Sequence, residues 1–341
     1  MTQEDSPFEI LRLPESEFET LIDFYRAALG DAGARIAELT PWRMAGSPAS
    51  GGFTPYVVRN QDRAVLGGVA AMGCTLSFAG GLLDASWQGN SVVDRSLRGQ
   101  GLGGRLVDAA AAEAPAVMAK STSPAMYGLR KKLGFKDVPN RYYLKATLRI
   151  PRPTSAADLG LRTAAFLVGR AKRAARLLGP TAFVPVGRVD HFDDSFDALN
   201  RRRIAEPVLR VSKSAAYLNW RYCACPGRDH VILRAGERDA RGAIVLRLAH
   251  GAGWILDLVA ESGDTPAVDA LVAAAMRWFS ESRARSVTAF CTLPETRSRI
   301  LRAGFLTTRS TPQFTYRGDL PDPESTPWDF WHGDSDSDLY G

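Results

Sequence analysis

The sequence predicts a mixed-sheet α/β protein in which one structural unit occurs twice. Three observations carry this reading. Segments with the two-residue period of strands alternate with segments of helical period in both halves of the chain. Residues 117–135 lie over residues 287–305 without a gap and match at six positions: Val117 with Val287, Ala119 with Ala289, Thr122 with Thr292, Pro124 with Pro294, Gly134 with Gly304 and Phe135 with Phe305. Between the halves, residues 151–180 shift to Ala, Arg, Leu and Pro, the composition of a connector. The expected division of the 341 residues is a first unit at 1–150, a basic helical linker at 151–190, a second unit at 191–320 and an acidic, aromatic tail at 321–341.

The first unit opens with a strand at 8–13, where apolar and polar residues alternate. A helix at 15–29 follows, carrying Phe18, Leu21, Ile22, Tyr25 and Leu29 on one face before Gly30 stops it. Residues 56–59, 64–78 and 82–93 read as three strands of a meander, separated by the turn residues Asn60-Gln61-Asp62 and Gly80-Gly81. A glycine turn then leads into an Ala-rich helix at 102–114, ended by Pro115. A strand at 117–121, a helix at 124–133 capped by Gly134 and a closing strand at 142–148 complete the unit. The second half repeats the order, with strands at 231–235, 243–250 and 254–260, a helix at 265–282, a strand, a helix and Gly304-Phe305.

Composition narrows the function classes. With 45% hydrophobic and 23% charged residues the chain reads as globular. Its net charge of +6 suits phosphorylated ligands but is modest for this length, so nucleic acid is not an expected partner. The acidic start lacks the features of a secretory signal, and no stretch approaches the roughly 20 apolar residues of a membrane span, so the expected location is the cytoplasm. Cys74, Cys223, Cys225 and Cys291 and the four histidines, His191, His230, His250 and His332, show no zinc spacing, and no metal is expected. The basic amphipathic helix at 161–178 is either a packed linker or a surface for peripheral membrane or acyl-carrier contact. Seven acids from Asp319 to Asp338 surround Trp328, Phe330 and Trp331. They read as a solvated tail anchored by its aromatics, or as a clasp for a metal or an amine.

The most informative segment is the turn at 98–104. Gly99, Gly101 and Gly104 fit G-x-G-x-x-G, but several strands precede them, and Lys120 to Ser123 stand where a dinucleotide fold needs a ribose-binding acid. No Gly-Lys-Ser/Thr follows, which excludes a Walker loop. What remains is a turn whose N–H groups converge on an anion at the start of a helix, where the dipole adds about half a positive charge. This is a pyrophosphate cradle, with Arg98, Arg105 and Arg95 to add charge.

Val92-Val93-Asp94-Arg95-Ser96-Leu97-Arg98-Gly99-Gln100-Gly101-Leu102-Gly103 resembles the coenzyme A motif of the GCN5-related N-acetyltransferase superfamily, Gln/Arg-x-x-Gly-x-Gly/Ala, and Leu133-Gly134-Phe135 resembles its second recurrent motif. The resemblance covers residues 7–149. It implies two tandem acetyltransferase-like units, with acetyl-coenzyme A as cosubstrate on Val92, Val93, Arg98, Gly99, Gln100, Gly101, Leu102, Gly103, Gly104 and Arg105. It also implies that the fourth strand splays from the fifth around the pantetheine, and that an amine attacks the thioester directly.

The residues for proton transfer depart from that pattern. The tyrosine common in the superfamily four residues before the Gly of Leu-Gly-Phe is Arg130 here, and Tyr127 is the nearest tyrosine on the same helix. Tyr127, Asn90 and Gln88 are the catalytic candidates, with Asp84 also on the fourth strand but no Glu among them. The second copy has Glu261-Ser262-Gly263-Asp264 in place of the cradle and is expected to be degenerate, its acids repelling pyrophosphate. Tyr217 to Tyr222, with Pro226, resembles a segment of tandem acetyltransferase-like proteins of bacterial surface polysaccharide assembly. Its aromatics are either core or the lining of an acceptor cleft. The expected function is N-acyl transfer to a small amine, with a nucleotide-linked amino sugar as leading acceptor. The rivals are an aminoacyl-tRNA-dependent transferase of cell-wall synthesis and a non-enzymatic acyl-CoA-binding sensor or scaffold.

Overall fold

The computed structural model describes residues 7–46, 48, 52–120, 123–149, 156–177, 184–227 and 229–335. Thr122 of the repeat match and the tail acids Asp336 and Asp338 lie outside the described residues. The first half contains β1 (Phe8–Arg12), α1 (Phe18–Leu29), α2 (Asp31–Gly46), β2 (Phe53–Asn60), β3 (Val65–Phe78), β4 (Gly81–Val93), α3 (Leu102–Ala111), β5 (Ala116–Lys120), α4 (Pro124–Lys132), β6 (Lys136–Asp137) and β7 (Tyr142–Thr147). After α5 (Ala156–Leu177) come β8 (Val186–Val189), α6 (Ser195–Ile204), β9 (Leu209–Val211), α7 (Ala215–Leu218), β10 (His230–Ala235), β11 (Gly242–Ala249) and β12 (Ala252–Ala260). α8 (Thr265–Glu281), β13 (Ser286–Cys291), α9 (Pro294–Arg302), β14 (Leu306–Thr307), β15 (Phe314–Gly318) and β16 (Trp328–Asp329) complete the order.

Local pattern accounts for most of these elements. α1 buries Phe18, Leu21, Ile22 and Tyr25 and ends at Gly30, whose φ of +57° suits glycine. Ser123 caps α4 through the Met126 N–H, followed by Pro124 in the first turn. The sequence reading does not foresee α2, because Pro41 and Gly33 interrupt it. Gly33 is required by packing, since a Cβ there would run into the Tyr25 backbone of α1.

The strands form two mixed sheets, in the orders β1-β2-β3-β4-β5-β15-β6 and β14-β7-β13-β12-β11-β10-β8; β9 joins the first sheet at β3, and β16 pairs with β9. One expectation is corrected here: the strand at 142–148 does not close the first unit's sheet. β7 pairs with β13 from Tyr142↔Cys291 to Thr147↔Ser286, and buries Leu144 and Ala146 in the second core. In exchange, β15 pairs with β5 from Phe314↔Lys120 to Gly318↔Ala116. Apolar alternation specifies a strand and its buried face but not its partner, and each half offers the other an open strand edge. Neither sheet is complete without a strand from the other half.

In each sheet a parallel pair is joined only at its start. β4 and β5 pair from Ala85↔Ala116 to Trp87↔Met118, leaving Gln88 to Val93 unpaired with β5. β12 and β13 pair from Ala252↔Ser286 to Ile255↔Ala289, and then part likewise. Between the sheets lies one continuous core containing Trp42, Trp87, Met118, Trp220, Phe290, Phe314 and Phe330. Trp42 and Trp220 stack at 4.5 Å, and each indole N–H donates to the other residue's carbonyl.

Candidate functional site

The glycine turn sits where β4 hands over to α3. Asp94 caps the turn after β4 by accepting from Ser96 Oγ at 2.6 Å and from Ser96 N at 2.8 Å, and these bonds, the hydroxyl's first, hold its carboxyl below the usual range. Gly99 and Gly101 have φ of +89° and +77°, and nothing within 4 Å would meet a Cβ on either. The conformation, not crowding, demands glycine there, and it leaves the face of the turn open. Gly104 N and Arg105 N donate to the Gly101 carbonyl, while among the described residues the N–H groups of Gly99 to Gly103 meet no acceptor. That is a row of free donors at the positive end of a helix, which fits the phosphates of coenzyme A. Arg95, Arg98 and Gln100 are exposed beside it, whereas Leu102 is buried. Gly103 and Gly104 pack against Leu129 of α4. Arg105 lines an open cleft of about 930 Å³ together with Arg59 and Arg63.

Upstream, β4 bends. Gly68↔Val92 and Ala70↔Gly89 are partners, so Asn90 and Ser91 together oppose Val69 in a β-bulge. Asn90 has φ of +54°, and its Nδ2 and the Ser91 Oγ are buried without a partner. Gln88 is buried with Nε2 donating to the Val107 carbonyl of α3 at 3.0 Å, and its Oε1 has no partner. Past its pairing with β5, β4 thus carries two side-chain amides and a hydroxyl with unpartnered atoms, followed by Val92 and Val93. Tyr127 is placed differently. Its hydroxyl donates to the Asp137 carboxylate at 2.9 and 3.0 Å, a carboxylate that also faces Lys131 and Arg141, and that hydrogen bond raises the phenol above its usual range.

The corresponding turn of the second unit, after β12, is built differently. Ser262 N donates to both carboxylate oxygens of Glu206, at 3.0 and 3.1 Å. Arg210, buried, donates to Glu206 at 2.8 Å and to Ser262 Oγ at 2.9 Å. Asp264 caps α8 through Ala267 N and is gripped by Arg241; Glu261 is held by Arg202. The cavity beside this turn measures about 20 Å³, room for about one water.

The tail corrects the solvated reading. Asp319, Asp322 and Glu324 are exposed, but every residue from Trp328 to Ser335 is buried, including Asp329 and Asp334. This segment fills the second opening. Phe330 and Thr292 bond reciprocally after β13, Trp331 bridges Cys291, and Gly333 packs against the Leu256 carbonyl of β12. Lys213 Nζ meets Asp257 of β12 at 2.7 Å and Asp334 at 2.6 Å, and Tyr222 donates to Asp257 at 2.8 Å. Burial raises Asp334 to about 6, with Asp257 adding to the shift and Lys213 opposing it. Burial opposes the Lys213 charge, yet the two carboxylates hold its ammonium above the usual value. Among the described residues no cluster of potential ligands could hold a metal.

Sequence reasoning missed Glu206, Lys213 and Asp257, which are isolated charges in the letters and share no motif. Tyr217, Trp220 and Tyr222 are core residues, so they do not line a cleft. α5 leaves Leu167 and Val168 exposed beside Arg170, and no described helix is long and apolar enough to cross a membrane.

No family model matches the sequence. No curated protein matches it significantly. Solved structures do share its architecture. A probable N-acyltransferase of Enterococcus faecalis superposes with a TM-score of 0.59 at 13% identity, covering 91% of this chain and 72% of that one. A GCN5-related N-acetyltransferase of Kribbella flavida gives 0.54 at 16% identity, over 91% and 71%. N-myristoyltransferase of Saccharomyces cerevisiae with bound myristoyl-CoA gives 0.56 at 11% identity, over 93% and 84%.

Proposed function

We propose that this chain, whose fold is that of the GCN5-related N-acetyltransferases, is an acyl-coenzyme A dependent N-acyltransferase whose first unit holds the donor. The observation that carries this is the row of N–H groups from Gly99 to Gly103 that meet no acceptor among the described residues, one short turn after a strand that has parted from its neighbour. The yeast neighbour carries myristoyl-CoA in the same fold, which supports the reading. Acyl-coenzyme A, acetyl-CoA in the first instance, supplies the activated acyl group. The turn and Arg98 bind its phosphates, with Arg105 adding charge from the adjoining cleft. The free edge of β4 at Val92 and Val93 offers backbone groups to the pantetheine, and N–H groups near the bulge stabilise charge on the carbonyl oxygen. Asn90 and Gln88 orient the amine or a water in the opening, and Tyr127 serves as proton donor only after leaving Asp137. The proposed acceptor is a small amine, an amino sugar first among them.

Calorimetric titration with acetyl-CoA tests the site. Binding is expected in the wild type and is lost in Gly101→Glu and Arg98→Glu; unaltered binding in both variants sinks the assignment. The bond from Tyr127 to Asp137 favours one second reading, a coenzyme A binding scaffold without turnover. Release of free thiol across a panel of amines and amino sugars separates the two.

A further inference from the structure

Arg130 of α4 is 1% exposed, yet among the described residues no hydrogen bond or ion pair engages its guanidinium, and Nε and Nη1 are fully buried without partners. The guanidinium lies 5.9 Å from the Phe135 ring. Other buried arginines are matched: Arg59 faces Glu17, Arg203 and Arg210 face Asp329, and Arg221 donates to the carbonyls of Gly333 and Ser335. Burial lowers the Arg130 guanidinium to about 10, so it stays charged at neutral pH. A bare buried cation is destabilising unless something arrives to meet it.

The topology places its helix beside the opening. β15 is antiparallel to both β5 and β6, so β5 and β6 run parallel and α4 between them runs back along β5. Helical side chains lean toward the helix N-terminus, and here that end adjoins the close of β5, where β4 has already parted. Three more polar atoms on this sheet face are buried without partners: Ser86 Oγ, Gln88 Oε1 and Thr315 Oγ1. Register places Ser86 beside Val117 and Thr315 beside Ala119, under α3 and α4. A bare cation and three unsatisfied oxygens in one buried layer mark a place built for a polar ligand.

We propose that Arg130 receives the negative charge at the thioester end of acyl-coenzyme A in the opening between β4 and β5. This rests on the acyl-CoA reading above. The charge has two sources. In transfer, the amine nitrogen bonds to the acyl carbon, the carbon–sulfur bond breaks with its electron pair on sulfur, and the amine proton passes to water. The guanidinium then faces the thiolate and keeps its own protons. In a dicarboxylic acyl donor, the free carboxylate takes the same place before reaction.

The test is calorimetric titration of the full chain at pH 8 with coenzyme A, desulfo-coenzyme A, acetyl-CoA and succinyl-CoA, on wild type, Arg130→Met and Arg130→Lys. Desulfo-coenzyme A reports the phosphate turn alone and binds all three alike. Wild type prefers coenzyme A over its desulfo analogue about tenfold or more if the charge is the thiolate, or succinyl-CoA over acetyl-CoA by a similar factor if it is the carboxylate. Arg130→Met abolishes that preference, Arg130→Lys keeps part of it, and Arg130→Met melts no lower than wild type because it sheds an unmatched charge. Equal affinities within both pairs in the wild type, or a preference that survives Arg130→Met, overturn the proposal while leaving the acyl-CoA site standing. Absence of all binding overturns both.

Discussion

Two turns occupy equivalent places in the two halves, each leaving a strand that has parted from its parallel neighbour and entering a helix. In the first, Gly99 to Gly103 present N–H groups that nothing among the described residues accepts. In the second, Glu206 supplies an anion from within, accepting from Ser262 N while Arg210 holds it in place. The strands that precede them differ in the same sense: β4, once parted from β5, carries amide atoms without partners, and the opening beside β12 is filled by residues 328–335. Internal groups in the second turn satisfy donors of the kind that the first turn leaves open.

That contrast can be broken at several points. The largest effect is expected at Lys213: Lys213→Met leaves Asp257 and Asp334 buried without their cation, and should lower unfolding free energy by about 3–5 kcal/mol in denaturant titration. Next, Gly101→Glu puts a side chain and a negative charge into a φ of +77° and should weaken acetyl-CoA binding by about 100-fold or more. Gly263→Glu, in the second turn, should leave that affinity unchanged; equal losses in the two variants would erase the distinction between the turns.

Glu206→Ala uncovers Arg210 and the Ser262 N–H and should cost about 1–3 kcal/mol, part of which added sulfate restores if the position is an anion site. A melting temperature indifferent to sulfate counts against that equivalence. Asp334 sharpens the account through pH. Its carboxyl rises from 3.8 to about 6 on folding, so the folded chain binds the proton more tightly, and this group's contribution to stability declines as pH rises from about 4 to about 6. Asp334→Asn should flatten that part of the stability profile. The smallest effect is expected for Tyr127→Phe, whose half-exposed bond to Asp137 is worth well under about 1 kcal/mol; an unchanged transfer rate would remove Tyr127 as proton donor.

Much of the fold was legible because periodicity and punctuation are local. Gly30, Pro124 and Gly134 mark helix ends, and the glycines of the turn at 98–104 announce positive φ and open donors. α2 escaped because Gly33 and Pro41 look like breakers, and only the approach of Tyr25 explains that glycine. The tail acids escaped because Asp329 and Asp334 look like any solvated carboxylates until Arg203, Arg210 and Lys213 are brought to them. Arg130 was legible as a departure from the common tyrosine, but that it is bare and buried was not.

Most strands and helices of the two halves and the positive-φ glycines of the first turn could be read from the letters, because each depends on residues a few positions apart whose backbone preferences act locally. That β7 and β15 change sheets, that the tail fills the second opening and that Glu206 meets Ser262 emerges only in the folded chain. Those outcomes depend on strand edges and buried charges finding partners tens to hundreds of residues away, where burial rather than local preference sets the energy.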